Sequence, residues 1–400
     1  MRLIRTLYIL ICLCLCLCLA PHLMAQGNYQ AEVPSRTTPD AFGDRLSLRL
    51  LAEAFFRNNE YASDLIADYT LPGYRFRADL GFRPSTSLPV ELRLGVSNLY
   101  YWGASRYPSA MAYLDLPYWS GEGERYTKFR LRPFFQASIL PTKGLAILLG
   151  GLEGGAKHEL IEPLYNPELN LTADEETGLQ IKYLGERTKI DTWVDWRSFI
   201  FRGESHPEAF IFGLTARHRF PLSSVSSLGL ELQALAHHRG GVLNKQADTV
   251  HTWLNTALGI SYEHQIKVME APLSWRTSAF ALSYTQRGEH YSVNEGWGIY
   301  AESEARWRRW QAKMGLWYGT DFIGVLGVPF AQSVGRKGRQ VIHSHHPRYL
   351  SLSASYRIME SMKYSLSLSA GVWMHPHSAD RMSSYIEAYL SISPYFGLLK

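Results

Sequence analysis

The chain has 400 residues, 13% of them aromatic, and a mean hydropathy slightly below zero. Beyond residue 25 no stretch carries the roughly eighteen consecutive apolar residues of a membrane helix, which excludes a helical membrane protein. The formal net charge is +5, and without Arg2 and Arg5 there are 39 bases against 36 acids, a near balance that predicts no nucleic-acid partner.

The first element in chain order is a targeting segment. Met1 to Arg5 is a basic start, Leu7 to Leu19 an unbroken apolar core, and Leu23-Met24-Ala25 offers a small residue before Gln26. Residues 1–25 are therefore predicted to be a signal peptide. Cys12, Cys14, Cys16 and Cys18 all lie inside it, so the mature chain has no thiol, disulfide or cysteine metal site. Residues 26–44 are rich in Pro, Thr and Ser and read as a short periplasmic lead.

From residue 45 to 400 one unit recurs: ten to fifteen alternating residues, then a turn. Tyr74, Phe76, Ala78, Leu80 and Phe82 alternate with Arg75, Arg77, Asp79, Gly81 and Arg83. Leu350, Leu352, Ala354, Tyr356 and Ile358 alternate with Ser351, Ser353, Ser355 and Arg357. Each segment, as a strand, has one apolar and one polar face. A soluble sandwich alternates too, but with strands of about five or six residues. A tilted membrane strand needs about nine to eleven, and most segments here reach that.

The gaps between segments alternate in length. Long ones at 57–72, 103–125, 158–176, 202–207, 241–248, 288–293, 321–347 and 376–380 interleave with mostly tight ones at 84–89, 141–143, 185–187, 221–226, 265–272, 308–309 and 359–361. Most prolines fall in or beside these gaps; Pro133 and Pro394 interrupt proposed strands. Tyr100, Tyr101, Trp102, Trp297, Trp317, Tyr318 and Trp373 gather toward the long-loop end, and Phe82, Phe220, Trp307 and Trp310 toward the other, as two interfacial belts. The expected fold is all-β: a transmembrane antiparallel up-and-down barrel of about sixteen strands, within a range of about fourteen to eighteen. Short turns and both termini face the periplasm, and the long loops face outward.

Several stretches resemble a family of Bacteroidetes outer-membrane barrel proteins without an assigned activity. They are Phe55 to Tyr61, Tyr69 to Tyr74, Tyr101-Trp102-Gly103, His158 to Glu168 and Phe199 to Glu204. The resemblance spans most of residues 45–220 and implies a cell outer-membrane location and a barrel fold. It brings no catalytic residues.

The chemistry-bearing residues are sparse. His290, Ser292 and Asn294 share one face, as a lipid hydrolase would require, but three polar residues at period two are ordinary near a loop. His343, His345 and His346, with His375 and His377, lack a carboxylate or thiol at metal-ligand spacing, so no metal is expected. Gly150-Gly151 and Gly154-Gly155 lack the Lys-Ser/Thr of a phosphate loop. The following loop, with His158, Glu162, Tyr165, Asn166 and Glu168, is packable: either a constriction inside the lumen or an outer lid. On the inward face Arg75, Arg77, Arg93, Lys128, Arg130 and Arg132 form one basic wall, which either favours anions or belongs to an internal ion-pair ladder.

These features predict a passive, porin-like channel for small polar or anionic solutes, with no covalent chemistry and no cofactor. A non-conducting barrel that binds a ligand or envelope partner is the alternative, and a lipid hydrolase a third reading. Expected partners are outer-membrane lipid and lipopolysaccharide, the barrel-assembly machinery during biogenesis, and further copies of the chain if it forms an oligomer.

Overall fold

The computed structural model describes residues 45–399 apart from 64–65, 67, 85–88, 103–128, 130, 200–207, 242–249, 289–290, 338–339, 362 and 377–380. The expected signal peptide and lead, with Lys128, Arg130, His290 and His377, lie outside the described residues. The strands are β1 (Leu46–Glu60), β2 (Tyr69–Phe82), β3 (Val90–Tyr101), β4 (Arg132–Thr142), β5 (Leu145–Gly151), β6 (Thr177–Leu184) and β7 (Thr188–Ser198). Then come β8 (Ala209–Pro221), β9 (Ser226–Arg239), β10 (His251–Val268), β11 (Ala271–Arg287), β12 (Glu295–Trp307) and β13 (Trp310–Thr320). The last are β14 (Val334–Lys337), β15 (Gln340–His343), β16 (Arg348–Glu360), β17 (Tyr364–Met374), β18 (Met382–Ile392) and β19 (Tyr395–Leu399).

Every neighbour in the main sheet is antiparallel, and β1 bonds to β2 on one side and to β18 and β19 on the other, so the ring closes. β18 and β19 make one stave broken at Ser393-Pro394, where proline cannot donate to the ladder. Sixteen staves result, and β14–β15 forms a separate hairpin. The alternation read from sequence is the side-chain pleat: Leu94 and Ile260 point outward, each 64% exposed, while Arg93 and Ser261 beside them are buried inside.

The tight turns are tighter than expected. β10 and β11 extend through the expected 265–272 gap and leave only Met269-Glu270, both at positive φ (48° and 61°), the geometry of a two-residue hairpin turn. β1 likewise runs to Glu60 rather than stopping at 57, because its ladder with β2 continues to the Asn59–Tyr69 pair. The upper belt is also thinner than expected. Trp102, Trp297 and Tyr318 face outward, but Tyr101, Trp317 and Trp373 are buried inside. Period two puts Trp317 and Tyr318 on opposite faces, so both cannot belong to one belt.

Candidate functional site

Among the described residues, two loops from the long-loop end turn into the lumen. The first, 152–176, enters between β5 and β6, which are only 7 and 8 residues long and so leave the wall low there. It holds a 3-10 turn at Gly155–His158 and α1 (Leu169–Thr172). Its Ile161, Leu164, Tyr165, Leu169 and Leu171 join one buried cluster with the inward aromatics of the wall. Of the two placements open to this loop, the structure takes the inner one.

Charge and hydrogen bonds bolt it down. Glu162 accepts from the Trp373 indole at 2.8 Å, the Tyr300 hydroxyl at 3.2 Å and Ser351 at 3.1 Å. Glu168 accepts from Asn59 at 2.8 Å and from Tyr69, and pairs with Arg57 at 2.8 Å. The His158 ring stacks on Trp193 with centroids 3.4 Å apart, and its two nitrogens lie 2.8 Å from Asp191 and 2.8 Å from Glu176. Burial alone would lower the His158 pKa, but Glu176 and Asp191 raise it to about 9. Burial would raise that of Glu176, yet the adjacent imidazolium lowers it to about 2. Asn166 donates its backbone N–H to the Leu326 carbonyl at 2.7 Å, and Tyr165 pairs with the same residue in a parallel bridge.

The basic wall receives the acidic end of this loop. Arg77 reaches Glu175 at 3.0 Å and Asp79 at 3.3 Å, and Arg132 reaches Asp174 at 2.7 Å. Arg75 donates to the Ala173 carbonyl at 2.7 Å, and Arg93 pairs with Asp79 and, at 2.9 Å, with Glu91. Below the loop a cavity of about 970 Å³ extends to the 222–225 turn, and Arg217, Glu231, Glu263, Arg276, Glu302 and Lys313 interlock along its wall.

The second loop, a strap at 321–334, is apolar. Phe322, Ile323, Val325, Leu326, Val328, Phe330 and Ala331 are all buried. Gly324 and Gly327 press against the first loop so closely that a Cβ on either would sit 2.0 Å from the Pro163 carbonyl oxygen. Together the two loops form one buried cluster with the inward aromatics of the wall.

Two serine–imidazole pairs are found at this end among the described residues. Ser292 Oγ is 3.2 Å from both Nδ1 and Nε2 of His343, and both residues are exposed. A hydroxyl equidistant from both nitrogens lies along neither lone pair and is poorly placed to pass a proton. The second pair is better built. Ser383 Oγ lies 2.7 Å from Nε2 of His375, and both are buried. The His375 backbone N–H donates to the Arg381 carbonyl at 2.9 Å, and Phe330 lies flat on the His375 ring at 4.4 Å and 14°. Tyr61, Trp373 and Tyr385 complete an aromatic nest around them.

Ser383 was not singled out from sequence. The available signal is its inward parity one residue into a strand, opposite Trp373 and near the His just past the end of the neighbouring strand. The other loop histidines bond singly, His345 to Asp321 at 2.8 Å and His346 to Thr320 at 3.3 Å. No group of three His, Cys, Asp or Glu residues is placed to hold a metal ion among the described residues.

Among solved structures the chain is similar to a loop L8 deletion mutant of OmpT, an outer membrane protein of Vibrio cholerae, at 8% identity over 88% of this chain and 100% of that one, with a TM-score of 0.49. It is similar to the outer membrane protein OprD of Pseudomonas aeruginosa at 11% identity over 88% and 94%, with a TM-score of 0.48. It is also similar to OpdK of the same organism, solved with vanillate, at 9% identity over 88% and 99%, with a TM-score of 0.41. No curated protein matches. A family model described as lipid A 3'-O-deacylase-type matches residues 38–400. That description is of an enzyme activity, and it overturns the expectation of a barrel without covalent chemistry. With a match over most of its length, the chain belongs to the lipid A 3'-O-deacylase-type family, and its place is the cell outer membrane.

Proposed function

We propose that the chain hydrolyses an acyl ester of an outer-leaflet lipid, of the lipid A class that the family description names, with Ser383 as nucleophile and His375 as general base. The observation that carries this is the 2.7 Å contact between Ser383 Oγ and His375 Nε2, held within an aromatic nest at the long-loop end. Ser383 attacks the ester carbonyl while His375 Nε2 takes its proton and returns it to the leaving alkoxide. Water then cleaves the acyl-serine, releasing a fatty acid and restoring the hydroxyl.

Passive flow of solutes suits this molecule less well. The described arginines of the basic wall, Arg75, Arg77, Arg93 and Arg132, are paired with acids, Asp174 and Glu175 of the first loop among them, and two loops turn into the lumen. The long-loop end faces outward in this reading, where outer-leaflet lipid is.

The test is mass analysis of lipid A from cells making each variant. Ser383→Ala and His375→Ala should each lose on the order of a hundredfold in deacylation or more. Ser292→Ala should keep it. Full activity in Ser383→Ala places the nucleophile elsewhere, and an inactive wild type ends the hydrolase reading.

A further inference from the structure

We infer that the strap 321–334 is the movable cover of an acyl-chain pocket, and that the Phe330 ring stands where the chain goes. This rests on the hydrolase reading for the identity of the ligand. Phe330 is 1% exposed and lies between Tyr61 at 5.7 Å, Trp373 at 5.3 Å and His375 at 4.4 Å. Withdrawing it opens a slot with aromatic walls and Ser383 Oγ alongside.

The polar atoms of those walls are already engaged elsewhere. The Trp373 indole N–H donates to Glu162, and the Tyr61 hydroxyl donates to Glu168 at 3.4 Å. What remains is ring surface, which suits a hydrocarbon chain and offers a polar ligand nothing.

The two inward loops are held differently, and this makes the strap the part that moves. The first is bolted to the wall by ion pairs through Arg57, Arg77 and Arg132 and by a hydrogen bond from Arg75 to the Ala173 carbonyl. The strap is mostly tied to itself. Gln332 bonds to Gly324 N at 2.7 Å, Gly324 O at 2.7 Å and Val328 O at 3.0 Å. Its side-chain tie to the wall is Asn255, at 2.8 Å to the Ile323 carbonyl and 3.4 Å to Val325 N. Lifting it breaks two backbone bonds to the first loop, Asn166 N–H to the Leu326 carbonyl at 2.7 Å and Val328 N–H to the Glu162 carbonyl at 3.2 Å, but no ion pair with that loop among the described residues. An entering acyl chain restores the apolar contact that is lost.

Two arms test the cover. Tyr165→Cys with Leu326→Cys places a disulfide across the bridge between the loops, in a mature chain without other cysteines. Alkyl fluorophosphonates then report access to Ser383, read by peptide mass. The oxidised form should label about ten-fold more slowly or worse, because the open fraction falls, and reductant should restore the rate.

Phe330→Ala should label faster with a long-chain than with a short-chain probe. Combined with Ser383→Ala it should retain oleate in native mass spectrometry, where the Ser383→Ala single variant does not. Equal labelling of oxidised and reduced forms overturns the cover. If Phe330→Ala folds, no gain in oleate retention overturns the pocket; if it does not fold, the disulfide arm decides alone. Oleate retained by the double variant, with Ser383 unlabelled in every form, supports the pocket while ending the hydrolase reading.

Discussion

Glu162 is the single group whose loss should most loosen the first inward loop. Its carboxylate takes three donors from three strands: Tyr300 on β12, Ser351 on β16 and Trp373 on β17. Glu162→Leu removes the acceptor and leaves three buried donors, each costing about 1–3 kcal/mol when unpaired. The three share one acceptor and will not add fully, so the loop's docking should weaken by on the order of 4 kcal/mol. Glu162→Gln keeps an acceptor oxygen but turns an NH2 toward at least one donor, and should fall between.

Hydrogen exchange of the Leu164 and Tyr165 amides, which donate to the Ile161 carbonyl at 2.9 and 3.0 Å, reads the loss directly. Planar-bilayer conductance reads it indirectly: the wild type should be silent and Glu162→Leu should flicker open. Heat-modifiable migration should persist, because the ring of strands is untouched. If exchange at these amides and conductance both match the wild type, Glu162 does not hold the loop and the reasoning fails.

Docking of the same loop should depend on pH. The folded pKa of His158 is raised from 6.5 to about 9, so its stabilisation is complete below about pH 6.5 and is lost as pH rises through 9. Glu176 is lowered from 4.5 to about 2, so its share is present above about pH 4.5 and is lost toward pH 2. Exchange protection of residues 155–176 should therefore fall between about pH 6 and pH 10, by on the order of 3 kcal/mol for this buried ring; flat protection contradicts the pairing. Gly324→Ala or Gly327→Ala forces a Cβ against the Pro163 carbonyl and should cost the strap about 1–3 kcal/mol, seen as faster proteolysis of 321–334. Ser292→Cys should label from outside intact cells and Lys143→Cys should not, since they lie at opposite ends of the strands; the reverse pattern inverts the barrel.

The barrel was legible because its signals are local. Alternation over ten or more residues and the pairing of long with short gaps report a strand's two faces and ends without knowledge of its neighbours. The interior was legible only in part. The 158–176 loop declared itself by Leu160, Ile161, Leu164 and Leu169 among turn-making residues, which fitted an inner or an outer position equally. The strap Phe322-Ile323-Gly324-Val325-Leu326-Gly327 carries a stronger apolar signal, yet the length of its gap predicts an outer loop, because its binding surface is assembled from strands far away in sequence. Trp317, Tyr101 and Trp373 suggest a lipid belt for the same reason: a large aromatic at a strand end looks alike whether it meets lipid or an inward loop. The Ser383–His375 pair joins a strand to the loop before it, and only the strand register shows which way each side chain points.

The seam constrains assembly. β1 is joined along Ala52–Glu60 to β18 and along Leu46–Arg49 to β19, so the first stave finds its second partner only in the last residues of the chain. Until export delivers those residues, the nascent sheet has two raw edges, each a row of unpaired amides that hydrocarbon cannot satisfy. Insertion before closure is thereby penalised, and ring closure becomes the committing event. Removing the last few residues would strip β19 from the foot of β1 and open the cylinder at the short-turn end, even though little of the sheet's area is lost.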